Sequence, residues 1–364
     1  MKFDFCIGNP PYQETISQSE SQSQSNTTWV YHRIAEVADN ISDTSCLIYP
    51  FGGWFDEQEA LDGFGKRLLT DGHTVAIDAY EGTSDKRAWY RTDKDPEPIF
   101  KDNANLSAGV AVVLRDNCDT HDTYEYMNRM YSDDTVIVSV SDAPYLTPNP
   151  AFLRINKKLT GAKLSSSIKK CMFGIDSGFV ESNPTKVSDK KSDWAKPVRL
   201  LTNDKSGPAG RATLYWTDKD NIPRGHDYLP YYKVVITSAY PKKSITGGNP
   251  TITNVKDRMS QLVDVLPKDS AFGSSRMLLF SSTNKAECDN FIKYTQTNFF
   301  AGLMLQEPNR RSTFGSVIPL QDFTAQSDID WTKSVEEIDV QLYAKYNMTQ
   351  ADIKFIEATL AEGE

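Results

Sequence analysis

The sequence predicts an α/β fold followed by a second region of α+β texture. Three observations predict it. Short apolar runs closed by Gly or Pro recur through the first 117 residues. Segments with helical spacing separate those runs. Beyond residue 150 the texture changes to short strands among long loops rich in Gly, Pro, Ser and Lys. Strands alternating with helices imply a largely parallel, layered sheet.

Phe3, Phe5 and Ile7 alternate along a strand expected over 2–7, which stops at Gly8. Residues 15–28 are Ser/Gln-rich, too polar to pack, and read as a mobile loop. Val30, Ile34, Val37, Ala38 and Ile41 then recur at helical spacing. Cys46-Leu47-Ile48-Tyr49 is a buried-strand pattern, giving a strand over 44–49 closed by Pro50. A helix is expected over 58–69 with a stop at Gly72. Two more strands are expected over 74–80 and 109–115, all four lying in one sheet. Pro144, Pro148 and Pro150 mark 118–150 as a linker.

A second domain then covers 151–325, with strands near 214–216, 231–237 and 277–280 and a helix over 284–297. Two helices end the chain within 326–364. The first opens on a Ser334-x-x-Glu337 capping box and presents Val335, Ile338 and Leu342. The second opens on Thr349-x-x-Asp352 and presents Ile353, Ile356 and Leu360.

Composition limits the function. The 364 residues allow roughly two domains. No apolar run approaches the ~20 residues of a membrane-spanning helix, and no secretory leader is visible. The five cysteines, Cys6, Cys46, Cys118, Cys171 and Cys288, are odd in number and widely spaced. They read as reduced thiols of a cytoplasmic protein, with neither a zinc site nor a disulfide framework. Four scattered histidines suggest no metal centre. The net charge of −9 is unusual for a nucleic-acid binder. An acidic protein can still carry a local basic cleft, but strong non-specific DNA binding is not expected of this chain alone.

The motif with chemical content is Asn9-Pro10-Pro11-Tyr12, set directly after the first strand. An exocyclic adenine amine is a poor nucleophile because its lone pair is delocalised into the ring. Two acceptors that bind both N6 hydrogens turn that lone pair outward. The Asn9 side-chain oxygen and the Pro10 carbonyl are such a pair, and the consecutive prolines fix φ and stiffen the turn. Tyr12 offers a ring face for a flipped base, worth about 1–3 kcal/mol per stacked base. The carboxyl end of a strand is where open α/β sheets bind ligands.

The sequence here resembles the gamma-class adenine-N6 DNA methyltransferases of restriction-modification systems, particularly those fused to restriction enzymes. Residues 3–13 look like their catalytic strand and turn. Leu47-Ile48-Tyr49-Pro50 through Trp54 looks like their next strand. Ile99-Phe100 and residues 106–112 resemble the late strand that closes the substrate pocket. Residues 318–324 and Ser327-Asp328-Ile329-Asp330-Trp331 resemble their C-terminal ending.

The resemblance implies a partial Rossmann-like methyltransferase sheet over 1–117 and a target-recognition domain over 151–325. It implies S-adenosylmethionine as methyl donor, double-stranded DNA as substrate, and Asn9, Pro10, Pro11 and Tyr12 as catalytic residues. In that family the donor is held by a Gly-rich loop upstream of the catalytic turn, and here Met1 lies eight residues before Asn9. The expectation is therefore that this chain binds the donor weakly by itself. A partner chain or further segment would carry the donor-binding half and cover the open edge of the first strand. Phe272-Gly273-Ser274-Ser275 and Phe314-Gly315-Ser316 are the nearest alternative donor loops, though each also reads as an ordinary turn.

Other signals are weaker. Lys242-Lys243 and Arg310-Arg311 are basic loop pairs that would contact phosphates or serve as plain solvated charge. Trp54 with Gly52-Gly53 would either shape the turn or contact the base. Asp328, Asp330, Glu336 and Glu337 suggest helix capping. No Pro-Asp…Asp/Glu-x-Lys nuclease constellation is convincing, so DNA cleavage by this chain is not expected. Three readings follow: an adenine-N6 DNA methyltransferase, an inactive DNA-recognition or anti-restriction module derived from one, or a methyltransferase for RNA or protein. The long region after the catalytic half counts against the third.

Overall fold

A computed structural model describes residues 2–16, 26–51, 54–55, 63–80, 109–129, 131–160, 162, 172–176, 178–202, 213–237, 263–274, 276–304, 306 and 318–362. The chain divides into two compact units, Met1–Thr160 and Gly161–Glu364.

In chain order the first unit contains β1 (Phe3–Gly8), β2 (Gln13–Ile16), β3 (Asn26–Trp29), α1 (Tyr31–Ile41), β4 (Ser42–Pro50) and α2 (Phe64–Thr70). Then come β5 (Thr74–Tyr80), β6 (Val110–Asp116), β7 (Thr123–Asn128), β8 (Val136–Ser139) and α3 (Leu153–Lys158). Six strands form one sheet in the order β1-β4-β6-β5-β7-β8. The four strands expected from the sequence are all in it.

The expectation of a largely parallel sheet is corrected. β1 pairs parallel with β4, and β5 with β7. The β4–β6, β5–β6 and β7–β8 pairs are antiparallel. The sheet is therefore mixed, with β6 running backwards between β4 and β5. An apolar run such as Val110–Val113 packs equally well in either direction, so its composition carries no polarity.

Three further expectations change. The 118–150 linker contains β7 and β8. Tyr126 Oη and Asn128 Nδ2 both donate to the Pro148 carbonyl, at 2.9 and 2.8 Å, and strap the proline-rich stretch to the sheet. The ends of the Ser/Gln-rich segment form a two-stranded antiparallel ladder, Gln13↔Trp29 to Ile16↔Asn26. On α1 the buried side chains are Tyr31, His32, Ala35 and Ala38. Val37 is 58% exposed. Tyr31 decides the helix's rotation, because its ring packs against Tyr49 and Phe64 at 5.8 and 5.6 Å.

The core of this unit lies on one face of the sheet and includes Tyr31, Tyr49, Phe51, Trp54, Phe64, Ile77, Val113 and Tyr126. At the amino-terminal ends of β4 and β5, Arg115 bridges Asp39 at 3.1 Å and Asp71 at 2.7 Å. It also donates to Thr74 at 3.0 Å.

The second unit carries α4 (Phe179–Ser182), β9 (Pro197–Thr202), β10 (Thr213–Asp218), β11 (Tyr232–Thr237), β12 (Val263–Leu266), β13 (Ser270–Phe272) and β14 (Arg276–Ser282). Helices α5 (Lys285–Thr295), α6 (Asn298–Met304), α7 (Val335–Lys345) and α8 (Gln350–Glu362) follow. The strands form two three-stranded sheets, β10-β9-β13 and β12-β11-β14.

Both C-terminal helix starts match their sequence signals. Glu337 N donates to Ser334 Oγ, and Ser334 N donates back to Glu337 Oε2 at 3.1 Å. Thr349 N donates to Asp352 Oδ2 at 2.8 Å. These helices pack on α6: the Phe299 and Tyr346 rings stack at 5.2 Å, and Gly302 leaves room for Ile356 where a Cβ would collide. The 326–364 stretch is thus part of the second unit.

Candidate functional site

β1 ends at Gly8, and Asn9-Pro10-Pro11-Tyr12 follows at its carboxyl end. By the pairings above, β4, β5 and β7 point the same way, so the turn stands at the shared carboxyl end of four strands. It is fixed on both sides. Ile7 and Gly8 lie opposite Cys46 and Leu47 in the β1–β4 ladder. After the turn, Val30 N donates to the Tyr12 carbonyl at 3.0 Å, and the β2–β3 ladder begins one residue on.

Within the turn, Pro10 is buried, Tyr12 is half-buried, and Asn9 and Pro11 are exposed. The Asn9 amide therefore stands at the surface on an anchored backbone. The Tyr12 ring meets a buried aromatic floor through Tyr31. Burial pushes the Tyr12 phenol above its ordinary range, offset in part by the neighbouring Asn9 side chain. That side chain reaches toward the hydroxyl without closing a hydrogen bond of normal geometry.

Trp54 resolves between its two readings. It is buried against Tyr49, Phe51 and Phe64, so it packs under the site. Gly65 permits this corner: a Cβ there would lie 2.5 Å from the Trp54 backbone.

A polar group at the same end of the sheet was not singled out in the sequence. Arg129, just past β7, pairs with Asp78 at 3.0 Å and lies over the Tyr80 ring at 5.0 Å. The available signal was Asp78 itself, one acid inside the run Thr74–Tyr80.

The Phe272–Gly273–Ser274 segment does not fit a donor. Gly273 N donates to the Leu201 carbonyl at 2.9 Å and Ser274 N to the Ile175 carbonyl at 2.8 Å, which uses the amides a cofactor would need. Gly273 is required by close packing, since a Cβ there would overlap Thr202. The segment is a structural turn.

Lys242, Lys243, Arg310, Arg311 and the Phe314-Gly315-Ser316 segment lie outside the described residues. Among the described residues no His/Cys/Asp/Glu group could hold a metal, and Cys6, Cys46, Cys118 and Cys288 are free thiols. No described helix is long and apolar enough to cross a membrane. Asp328 pairs with Lys345 at 2.9 Å, and Asp330 caps Thr332.

The fold and the turn define a mixed α/β unit with a polar, proline-stiffened loop at the carboxyl end of β1. Residues 1–85, which span β1, the turn, α1, β4, α2 and β5, match the Eco57I restriction-modification methylase family. No curated protein matches the chain. Among solved structures, the type IIG restriction endonuclease BpuSI aligns with 92% of this chain and 48% of its own, at 8% identity and a TM-score of 0.31. The chain thus spans about half the length of that enzyme.

Proposed function

We propose that this chain carries the reacting turn of an adenine-N6 DNA methyltransferase of restriction-modification type, dependent on S-adenosylmethionine. The observation that carries the reading is the placement of Asn9-Pro10-Pro11-Tyr12 at the carboxyl end of β1, inside the segment that matches a methylase family.

The chemistry follows from the residues. The exposed Asn9 carboxamide oxygen and the Pro10 carbonyl accept the two N6 hydrogens of a flipped adenine. Both acceptors are set before the base arrives, so little reorganisation is needed as positive charge develops on the amine. Tyr12 stacks on the base, and Tyr31 supports its ring. No step is assigned to the donor. In this reading it is held by a partner chain or further segment that pairs with the free edge of β1. There Phe3, Phe5 and Ile7 are 54, 68 and 78% exposed, an unfavourable surface for an edge strand to leave in water.

The test is tritiated methyl transfer to adenine-containing duplex DNA, with the candidate donor-binding partner present. Asn9→Ala should reduce transfer by at least about 10²–10³-fold, while DNA affinity stays nearly unchanged and the product nucleoside of the wild type is N6-methyl-2′-deoxyadenosine. Full activity in Asn9→Ala sinks the catalytic assignment. Specific DNA binding without methylation by the native assembly replaces this reading with that of a recognition module.

A further inference from the structure

The second unit contains a cleft of about 520 Å³ whose walls include Lys191, Lys196, Arg199, Trp216, Lys219 and Lys268. Its floor is a cross-strand pair: Arg199 of β9 stands directly opposite Trp216 of β10. The Arg199 guanidinium lies 5.7 Å from the Trp216 ring centroid, and Lys191 Nζ lies 5.6 Å from it.

Backbone bonds join the surrounding segments to this floor. Trp216 exchanges both backbone hydrogen bonds with Ser188, at 2.8 and 2.9 Å. Arg199 N donates to the Asp269 carbonyl at 2.9 Å, and Asp269 N donates to the Leu229 carbonyl at 2.8 Å. The site is therefore built from a strand pair and two clamped turns.

Its charge is out of keeping with a chain of net charge −9. Lys196 is neutralised by Asp220 at 2.9 Å. Lys191, Arg199, Lys219 and Lys268 form no ion pair among the described residues, and Arg199 Nε is buried without a hydrogen-bond partner. Of the nearby acids, Asp218 is occupied by the backbone amides of Lys196 and Asp220. Among the described residues, Asp269 is the one carboxylate lining the cleft.

We propose that this cleft seats the sugar–phosphate backbone of duplex DNA. Lys191, Lys219 and Lys268 neutralise phosphates, and Arg199 on Trp216 forms a rigid cationic floor. The cations come from four separate chain segments: a 3-10 turn at Lys191–Asp193, β9, a second 3-10 turn at Lys219–Asn221, and the 267–269 turn. Charges distributed around a rim suit a string of phosphates. A single small anion would be gripped by donors converging on one point. The three lysines are exposed, so they act as point charges that displace counterions and carry no base information. The choice of duplex DNA as the polyanion rests on the proposed function.

The test is binding of the whole chain to duplex DNA by fluorescence anisotropy, from 50 to 200 mM salt. In the triple variant K191A/K219A/K268A the magnitude of the slope of log K against log salt should fall by about 3, with an unchanged Tm. A control triple, K66A/K285A/K354A, removes the same charge elsewhere and should leave the slope intact. W216A should weaken binding about tenfold, and W216F should restore most of it. Equal losses in the two triples, or no change in slope, overturn the proposal. So does a nucleoside triphosphate that competes with DNA at micromolar concentration, because the site would then be one for small anions. Failure of methyl transfer with a cleft-dependent slope sinks only the proposed function. An Asn9→Ala variant without transfer, beside a lysine triple that binds DNA normally, sinks only the cleft.

Discussion

The Tyr12 ring meets the Tyr31 ring edge-on, with centroids 6.4 Å apart and planes at 82°. Tyr31 is itself buried and touches Trp29, Tyr49 and Phe64. The turn thus stands on the first unit's core, and under the proposed function stacking on Tyr12 would depend on a ring that itself does not reach the base.

Tyr12→Phe is expected to be nearly silent in transfer and binding, since the hydroxyl closes no regular hydrogen bond. Tyr12→Ala should weaken both by removing the stacking face, by about 1–3 kcal/mol. Tyr31→Ala should cost about 3–5 kcal/mol of stability and lower transfer as well. Transfer kinetics beside urea unfolding separate the two effects. Equal loss in Tyr12→Phe and Tyr12→Ala would contradict a stacking role.

Arg115→Met should destabilise the first unit strongly. The arginine is almost fully buried, and it separates the partly exposed carboxylates of Asp39 and Asp71. Removing it leaves two like charges without their counter-charge, at a cost of about 2–4 kcal/mol. Adding Asp39→Asn and Asp71→Asn should return part of the loss. Urea midpoints of the single and triple variants measure this, and a triple no better than the single would show that lost packing is the cause.

Lys233 gives the second unit a pH dependence. Its side chain is fully buried in β11, with Nζ donating to the Tyr228 and Tyr231 carbonyls at 2.8 and 2.6 Å. Burial pushes its amine down to about 8, below the unfolded value of about 10.4. Between those values the unfolded chain binds more protons, so this group makes stability rise with pH across that window. The penalty for burying the charge is fully present below pH 8. The rise is limited to about 1.4 kcal/mol per pH unit. Unfolding of wild type and Lys233→Met at pH 7.5, 9 and 10 should show the wild type gaining stability relative to the variant as pH rises. A constant difference would mean that the amine titrates normally.

Much of the first unit was legible in the sequence. β1, β4, β5 and β6 fall within two residues of their expected limits because each is a short apolar run with a clear stop. The antiparallel β6 was not legible, since Ala111 and Val113 are buried whichever way the strand runs. β7 was missed although Tyr124 and Tyr126 alternate with exposed Thr123 and Glu125. Three nearby prolines outweighed that period-two signal, and Asn128 and Tyr126 bind one of them to the sheet. The position of the Asn9–Tyr12 turn was legible from the strand before it. The basic cleft was not, because Lys191, Arg199, Trp216 and Lys268 are spread over 78 sequence positions and only the ladder and turns bring them together.

Among the described residues β1 is hydrogen-bonded on one side only, and it presents Phe3, Phe5 and Ile7 to solvent. A strand with one ladder and little buried area opens locally at a smaller free-energy cost than its neighbours. Its amides should therefore exchange with deuterium sooner than those of β4 or β6. Asn9 is the next residue along, so occupation of the other edge would add to the anchoring it already has from β4 and from the Val30–Tyr12 hydrogen bond. Under the proposed function, assembly would then act on transfer without touching Asn9 or Tyr12, by slowing the opening of the strand that carries them.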